Sequence, residues 1–234
     1  MYWLIAILTI LLVLFIVWVW TVAYVGSNVY IKTICKTDVK DKVVSLTFDD
    51  GPDEVMTEKV LDVLGKYNIK AIFFLVGSKA EKYPHIVRRI YSEGHVVANH
   101  TYSHCGNFPF WHGEKVEKEL KKCAEAIQKI IGKKPKLFRP PFGVTNPVIG
   151  KVLRSLGFKT IGWSIRSMDT VMVTKREYIA QNVKRNLHPG AIILLHDRCP
   201  KADELLENII ESTLKEGYSF ASLDKIIDLQ AYED

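Results

Sequence analysis

The sequence has no charged side chain over residues 1–31, and Tyr2–Val25 is almost wholly apolar. As a helix, this stretch would be roughly 36 Å long, which is enough to cross a bilayer. A secretory signal peptide would need a basic start, a shorter apolar core and a small-residue cleavage site, and none of these is convincing here. Aromatic residues such as Trp3 and Trp20 lie towards the ends, as at membrane interfaces. We therefore predict a transmembrane anchor over residues 1–26.

Cysteines and blocks of basic residues are also scarce. The four cysteines form no CxxC pair, so they indicate neither a zinc knuckle nor a disulfide framework, and a single disulfide stays open. The net charge of +6 comes from lysines scattered through amphipathic stretches, and we therefore expect no nucleic-acid partner. The chain has 234 residues, 48% of them hydrophobic, which suffices for one sizeable domain with an appendage.

Helical and strand patterns alternate from Val43 onward. Apolar runs predict strands at 43–48, 71–76, 96–98, 137–138, 158–163, 191–195 and 219–220. Amphipathic stretches predict helices at 54–67, 83–92, 114–131, 147–156, 175–187 and 202–215, and residues 223–229 close the chain. Strict alternation implies a parallel sheet, either a barrel or a doubly wound sheet. We expect residues 27–42 to form a juxtamembrane linker and residues 43–234 to form one α/β domain.

Polar residues of unusual kinds follow five of the predicted strands. They are Asp49 and Asp50; Asn99, His100 and His104; Arg139; Asp169; and His196 and Asp197. The carboxyl ends of parallel strands share one face, and active sites of α/β proteins lie there. Each residue alone could be a cap or a turn residue, but one shared site explains five such segments better than five coincidences.

Two adjacent acids and a pair of histidines predict a metal site on this face. Asp49 and Asp50 resist ionising together unless a metal ion or an arginine offsets their charge. His100 and His104 have the i, i+4 spacing that suits bidentate metal binding. A site of two histidines and one carboxylate fits a hydrolytic Zn²⁺ or a non-haem Fe(II) oxygenase. The second carboxylate, the arginine and the distant His196 favour hydrolysis, since they supply a base, an orienting group and an acid.

Four short motifs resemble those of one enzyme family. The stretches Thr47-Phe-Asp-Asp-Gly-Pro52, His100-Thr-Tyr-Ser-His104, Arg139-Pro-Pro-Phe-Gly143 and Leu194-Leu-His196 are similar to motifs of the polysaccharide deacetylases. These are the NodB-homology domains of carbohydrate esterase family four. The resemblance covers Val43 to about Leu229. It implies a distorted (β/α) barrel of about seven parallel strands, and a catalytic domain over 43–234 that removes acetyl groups from sugars with the help of a metal ion.

The resemblance also implies roles for the residues around the metal. Asp50, His100 and His104 would bind one divalent ion, with zinc expected first and cobalt, manganese or nickel as alternatives. Asp49 would be the general base, and Arg139 would pair with it and hold it. These assignments place the two neighbouring aspartates in different roles.

Further roles follow for residues of the cleft. The backbone N–H of Phe142 would stabilise the oxyanion, and Leu194 would line the acetyl pocket. His196 would be the general acid, oriented and charged by Asp169. The sequence departs from the family pattern at two positions, where Arg166 and Thr170 stand in place of an acid and a tryptophan. We therefore expect Trp163 to supply the aromatic wall.

The resulting hypothesis is a membrane-anchored deacetylase whose partners are an acetylated glycan and membrane lipid. Removal of N-acetyl groups from peptidoglycan or a chitin-like oligosaccharide is expected first. One alternative is a catalytically inactive carbohydrate-binding relative, and another is a deacylase of a lipid-linked sugar precursor. A structural membrane protein whose basic surface meets anionic lipid would leave the residues at the strand ends unexplained.

The side of the membrane is the point on which two arguments conflict. The resemblance implies a catalytic domain outside the cytoplasm, where polymer is found. The tendency of positive flanks to stay inside opposes this, because the anchor is followed by Lys32, Lys36, Lys40 and Lys42. Asp38 and Asp41 intersperse these lysines and weaken the opposing argument. We therefore favour the extracytoplasmic side.

Overall fold

The computed structural model of the protein describes residues 2–171 and 176–233. Its α-helices are α1 Tyr2–Ala23, α2 Met56–Lys66, α3 Gly77–Lys82, α4 Pro84–Ser92, α5 Gly113–Ile131, α6 Pro147–Ser155, α7 Arg176–Arg185, α8 Ala202–Lys215 and α9 Leu223–Ile226. Its strands are β1 Thr33–Ile34, β2 Val43–Asp49, β3 Ile72–Leu75, β4 Val96–Asn99, β5 Leu137–Phe138, β6 Lys159–Ile161, β7 Ile165–Arg166, β8 Ile192–His196 and β9 Ser219–Phe220. The helix predicted over 175–187 begins outside the described residues.

The strands form one incomplete parallel barrel. Their order is β1-β6-β5-β4-β3-β2-β8-β7, and β9 pairs with the start of β2. All pairings between these strands are parallel. The prediction of a distorted (β/α) barrel is therefore confirmed, with eight strands on the main path where about seven were expected. The strands β1 and β7, of two residues each, were not predicted, because neither lies in a continuous apolar run.

Neighbouring strand residues point to opposite faces and build two separate cores. In β3, Phe73 packs outward against the helices and stacks on Phe48 at a centroid distance of 4.9 Å. Its neighbours Ile72 and Phe74 pack inside the barrel. In β2 the inward positions are polar, and Thr47 donates its hydroxyl to the carbonyl of Ile193 at 2.8 Å. This alternation lets one strand contribute apolar packing outside and site residues inside.

The segment 27–42, predicted as a juxtamembrane linker, is partly built into the barrel. Thr33 and Ile34 pair in register with β6, and Thr37 donates its backbone N–H to Gly190 at 2.9 Å. Ile31 and Thr37 are buried. The segment is therefore an edge of the domain over much of its length, rather than a free tether.

The helix α1 is attached to the domain through its last turn. Among the described residues it is the one helix that is long and apolar enough to span a membrane. Thr145 donates its backbone N–H to the carbonyl of Val22 at 2.9 Å and its hydroxyl to that of Thr21 at 3.3 Å. The hydroxyl of Ser27 also bonds to the Thr21 carbonyl, at 2.9 Å. These bonds satisfy carbonyls at a helix end that the helix itself leaves unpaired.

The cysteines do not form the disulfide that the sequence left open. Cys35, Cys105, Cys123 and Cys199 are all free. Burial raises the pKa of Cys199 to about 12, so this thiol stays protonated at neutral pH.

Two glycines with the same backbone conformation test whether residues 27–42 pack tightly against the barrel at Thr37. Gly190 and Gly132 both have φ of 73°, but a Cβ on Gly190 would collide with the backbone of Thr37, whereas a Cβ on Gly132 would meet nothing within 4 Å. We expect Gly132→Ala to cost roughly 1 kcal/mol for the left-handed backbone alone. Gly190→Ala should cost at least about 2 kcal/mol more. Urea unfolding of the full chain in detergent measures both, and equal losses would contradict this packing.

Candidate active site

Strand β2 ends in the two acids, and the backbone turns their side chains apart. Asp49 is still in the strand, in register with Phe74 of β3 and His196 of β8. Asp50 follows it with φ of 72°, a left-handed conformation that is uncommon outside glycine. Both side chains are buried. The change of backbone conformation between them lets two adjacent carboxylates reach different partners.

Asp49 is held by a completely buried arginine. Its Oδ1 accepts a hydrogen bond from Nη1 of Arg139 at 2.7 Å. The guanidinium also donates to Thr47 Oγ1 at 2.9 Å, to the Ile161 carbonyl at 3.0 Å and to the Gly162 carbonyl at 2.6 Å. Burial lowers the pKa of Arg139 and the charge of Asp49 opposes this, so the guanidinium remains charged. The pairing inferred from the family resemblance is thus present in the structure.

Asp50, His100 and His104 form a group that could hold a metal ion. The Oδ1 of Asp50 lies 3.1 Å from Nε2 of His104 and 3.4 Å from Nε2 of His100, and the three possible ligand atoms all lie within 4.8 Å of one another. The Nδ1 of His100 is 2.8 Å from the carbonyl of Arg139. A donated Nδ1–H there leaves Nε2 as a free acceptor, which is the arrangement of metal-binding histidines. The donor set therefore fits a divalent ion such as Zn²⁺.

The protonation of this group also suits a metal. Burial alone would raise the pKa of Asp50, but the hydrogen bond and charge of His100 hold it well below its usual range. Burial, together with the neighbouring His100, lowers the pKa of His104. Near neutral pH the carboxylate is charged and His104 is neutral, and these are the forms that bind metal ions.

His196 and Asp169 form a second pair beside the first. The Nδ1 of His196 lies 2.8 Å from Oδ1 of Asp169, and the His196 backbone N–H donates to Oδ2 at 2.7 Å. Burial alone would lower the pKa of His196, but the hydrogen bond and charge of Asp169 raise it above the usual value. The imidazole is therefore more protonated near neutral pH than an ordinary histidine, and this suits a general acid.

These side chains surround one small active-site cavity of about 180 Å³. Its lining includes all the predicted metal ligands, the predicted base and acid, and the predicted cleft residues Phe142, Trp163 and Leu194. Phe142 has φ of 59° and its ring lies 5.0 Å from that of His104. Arg166 and Thr170 line the same cavity. The predicted site residues Arg139 and Asp169 lie behind the cavity wall, where Arg139 hydrogen-bonds to Asp49 and Asp169 to His196.

Arg198 is a cavity residue that sequence reasoning missed. Its Nε donates to Oδ2 of Asp50 at 2.9 Å, leaving Oδ1 towards the histidines. Behind it, Asp197 is fully buried, accepts a hydrogen bond from the Thr57 hydroxyl at 2.6 Å, and has its pKa raised by burial to about 7. Both residues directly follow His196, and their position after a strand was the available signal.

The comparison with known sequences agrees with this geometry. The sequence model described as polysaccharide deacetylase matches residues 36–161, more than half of the chain. The chain belongs to the polysaccharide deacetylase family. The membership predicted from four motifs is thereby confirmed.

Several polysaccharide deacetylases are similar over most of the chain. A peptidoglycan-N-acetylglucosamine deacetylase of Bacillus cereus is 37% identical over 210 residues, which cover 88% of this chain and 72% of the relative. The peptidoglycan-N-acetylmuramic acid deacetylase PdaA of Bacillus subtilis is 33% identical over 193 residues, covering 81% and 73%. The crystal structure of the Bc1960 peptidoglycan N-acetylglucosamine deacetylase superposes with a TM-score of 0.79 at 33% identity, covering 92% of this chain and 98% of that one.

The pair of His196 and Asp169 gives a testable pKa. Replacing Asp169 by asparagine keeps an oxygen opposite Nδ1 but removes the negative charge. Burial, which lowers the pKa of His196, is then opposed only by the charges of Asp49 and Asp50, and we expect this pKa to fall. An NMR titration of the His196 ring in the full chain measures this change. Asp228→Asn, which removes an exposed carboxylate elsewhere, is the control, and an unchanged His196 pKa in Asp169→Asn would contradict the pairing.

Proposed function

We propose that the protein is a membrane-anchored, metal-dependent deacetylase that removes N-acetyl groups from a peptidoglycan-type glycan. The proposal rests on three kinds of group that meet in one cavity. Asp50, His100 and His104 are a set of metal donors. Asp49 is a second carboxylate, held by Arg139, and His196 is an imidazole whose pKa is raised by Asp169. An inactive carbohydrate-binding relative would not need the carboxylate and the imidazole in addition to the donors.

The residues of the cavity can carry out amide hydrolysis in two proton transfers. Asp50, His100 and His104 would hold a divalent ion, Zn²⁺ first, which supplies Lewis acidity to the acetyl carbonyl and to the attacking water. Asp49 accepts the proton of that water, and Arg139 keeps this carboxylate oriented. The backbone N–H of Phe142 donates to the oxyanion that forms as the water adds.

The departing amine needs a proton, because an amide anion is a poor leaving group. His196 donates this proton, since Asp169 favours the imidazolium near neutral pH. Leu194 and Trp163 line the part of the cavity that would hold the acetyl group. The same groups could hydrolyse an O-acetyl ester, but an alkoxide leaves more readily than an amide anion and depends less on a proton donor. The Asp169–His196 pair, which keeps the imidazole protonated, therefore supports N-deacetylation.

The proposed function also assigns a role to each segment of the chain. We assign residues 1–26 to a membrane anchor, residues 27–42 to a connection that includes the barrel edge β1, and residues 43–234 to a catalytic domain. Similarity to peptidoglycan deacetylases supports an extracytoplasmic domain, since polymer is found there. The hydrogen bonds between the last turn of α1 and Thr145 support an anchor that is retained with the folded domain.

A pair of variants separates metal binding from proton transfer. His100→Ala removes a ligand, and we expect it to lose both bound metal and activity. Asp49→Asn leaves the three ligands in place, so it should keep metal and lose about 10²-fold or more in kcat. Metal analysis of the purified full chain and acetate release from acetylated chito-oligosaccharides and peptidoglycan fragments measure both quantities.

The control for these variants is His85→Ala, which removes an exposed histidine and should change neither quantity. Full activity of His100→Ala after chelation would refute the metal site. Loss of metal in Asp49→Asn would mean that the roles of Asp49 and Asp50 are reversed. Metal retention by the unaltered chain without acetate release from any acetylated glycan would favour the inactive relative.

The side of the membrane is testable with a tag at the carboxyl terminus. We expect protease added to intact spheroplasts to digest the tag, because the domain is proposed to lie outside. A cytoplasmic protein of known location is the control for lysis. Protection of the tag until lysis would place residues 43–234 inside and favour a lipid-linked sugar precursor as substrate.

A further inference from the structure

A second concave region adjoins the active-site cavity on the side of α1. This region, the anchor-side groove, has a volume of about 510 Å³. It is lined by side chains that follow α1, β1 and β6, among them Tyr24, Asn28, Lys36, Asp38, Trp163 and Arg166. Trp163 and Arg166 line both the groove and the active-site cavity. The two spaces are therefore neighbours, with Trp163 and Arg166 between them.

Two aromatic rings in this groove are held in place by their surroundings. The ring of Tyr24 packs against Trp20 at a centroid distance of 5.6 Å, and it lies so close to Gly26 that a Cβ there would be 2.8 Å from it. A Cβ on Gly143 would likewise lie 2.6 Å from the Trp163 ring. Tyr24 lies just past Ala23, the last residue of α1 and thus at the surface end of the proposed anchor, and it remains 48% exposed. A fixed and exposed aromatic face is a suitable platform for the apolar face of a pyranose ring.

The polar groups of the groove suit neutral sugars. The groove contains groups of both charges, the Lys36 ammonium and the Asp38 carboxylate, together with the Ser164 hydroxyl. A sugar hydroxyl both donates and accepts hydrogen bonds, so it can pair with either kind of group. Ligand sites commonly combine aromatic side chains with a few polar groups that orient the ligand, and the groove has both.

The sizes of the two spaces indicate how a glycan would be divided between them. The active-site cavity, at about 180 Å³, is much smaller than the groove of about 510 Å³. The cavity accommodates the acetyl group and the atoms next to it, whereas the neighbouring sugar units of a chain must lie outside. The groove is the adjoining space that shares lining residues with the cavity.

We propose that the anchor-side groove binds the sugar units next to the one being deacetylated, with Tyr24 as a stacking platform. This inference rests on the proposed function and on retention of α1. It makes the end of the membrane helix part of the substrate site. Thr145, which bonds to the last turn of α1, lies two residues beyond Gly143 of the cavity, so the glycan is bound beside the point where the chain leaves the membrane. The substrate class is thus a glycan chain of several units at the membrane surface.

The test compares substrates of different length on the full chain in lipid nanodiscs. The probes are chitin oligomers of two and six units, and the readout is kcat/KM for acetate release. We expect the unaltered chain to prefer the hexamer. Tyr24→Ala should reduce the hexamer-to-dimer ratio of kcat/KM by about 5- to 10-fold, and Tyr24→Phe should restore it, because the ring and not the hydroxyl makes the contact.

The control removes an aromatic ring from the opposite end of the same helix. Trp3→Ala should leave the ratio unchanged, since Trp3 lies at the far end of α1. An unchanged ratio in Tyr24→Ala would refute the groove as a subsite, and so would equal losses on both oligomers, which indicate a structural effect. Absence of acetate release by the unaltered chain on every oligomer would instead refute the proposed deacetylase activity.

Discussion

The buried ion pair between Arg139 and Asp49 is the interaction on which the rest of the site depends. The guanidinium is fully buried and the carboxylate nearly so. Removing one partner of such a pair leaves an uncompensated charge and costs about 3–5 kcal/mol. The pair is tolerated here because the remaining donors of Arg139 are used by Thr47 and by the carbonyls of Ile161 and Gly162. The charges are therefore stabilised by a polar network inside the barrel.

This network connects the ends of several strands. Arg139 follows β5, its side chain bonds to groups of β2 and the end of β6, and its carbonyl orients His100 after β4. A shift of one strand would break more than one of these bonds. The same arginine thus holds Asp49, the proposed base, and fixes the ring of His100, one of the three side chains that could hold a metal ion. A catalytic base has to be oriented before the substrate binds, because a small misplacement of the base lowers the reaction rate strongly.

Much of the site was predictable because parallel strands bring their carboxyl ends together. Asp49, Asp50, His100, His104 and His196 could be grouped from their positions after strands, before any distance was known. Thr47 and Arg198 were not grouped with them. Thr47 is a β-branched residue inside a strand and has the pattern of an ordinary strand former. Arg198 does follow a strand, but the irregular loop that carries it has no sequence period to indicate that its side chain reaches Asp50.

The edge of the barrel was missed for a related reason. Strand β1 has two residues, and its pairing with β6 joins segments more than a hundred residues apart. Hydrophobic patterns report local structure, so a short strand stabilised by distant partners leaves little signal. The pattern of residues 27–42 therefore predicts a linker, although the backbone N–H of Thr37 donates to the carbonyl of Gly190.

The attachment of α1 to the domain bears on how the proposed membrane-anchored deacetylase would meet its substrate. A flexible tether would let the domain sample many heights and orientations above the membrane. Hydrogen bonds from Thr145 to Thr21 and Val22, together with the burial of Val25, restrict that freedom. Since Thr145 follows the loop of Phe142 and Gly143, the restriction acts on the side of the domain where the cavity opens. In the proposed membrane-anchored deacetylase, a helix fixed at this point would set the distance between the bilayer and the proposed reacting groups, so the helix would contribute to the choice of substrate as well as to location.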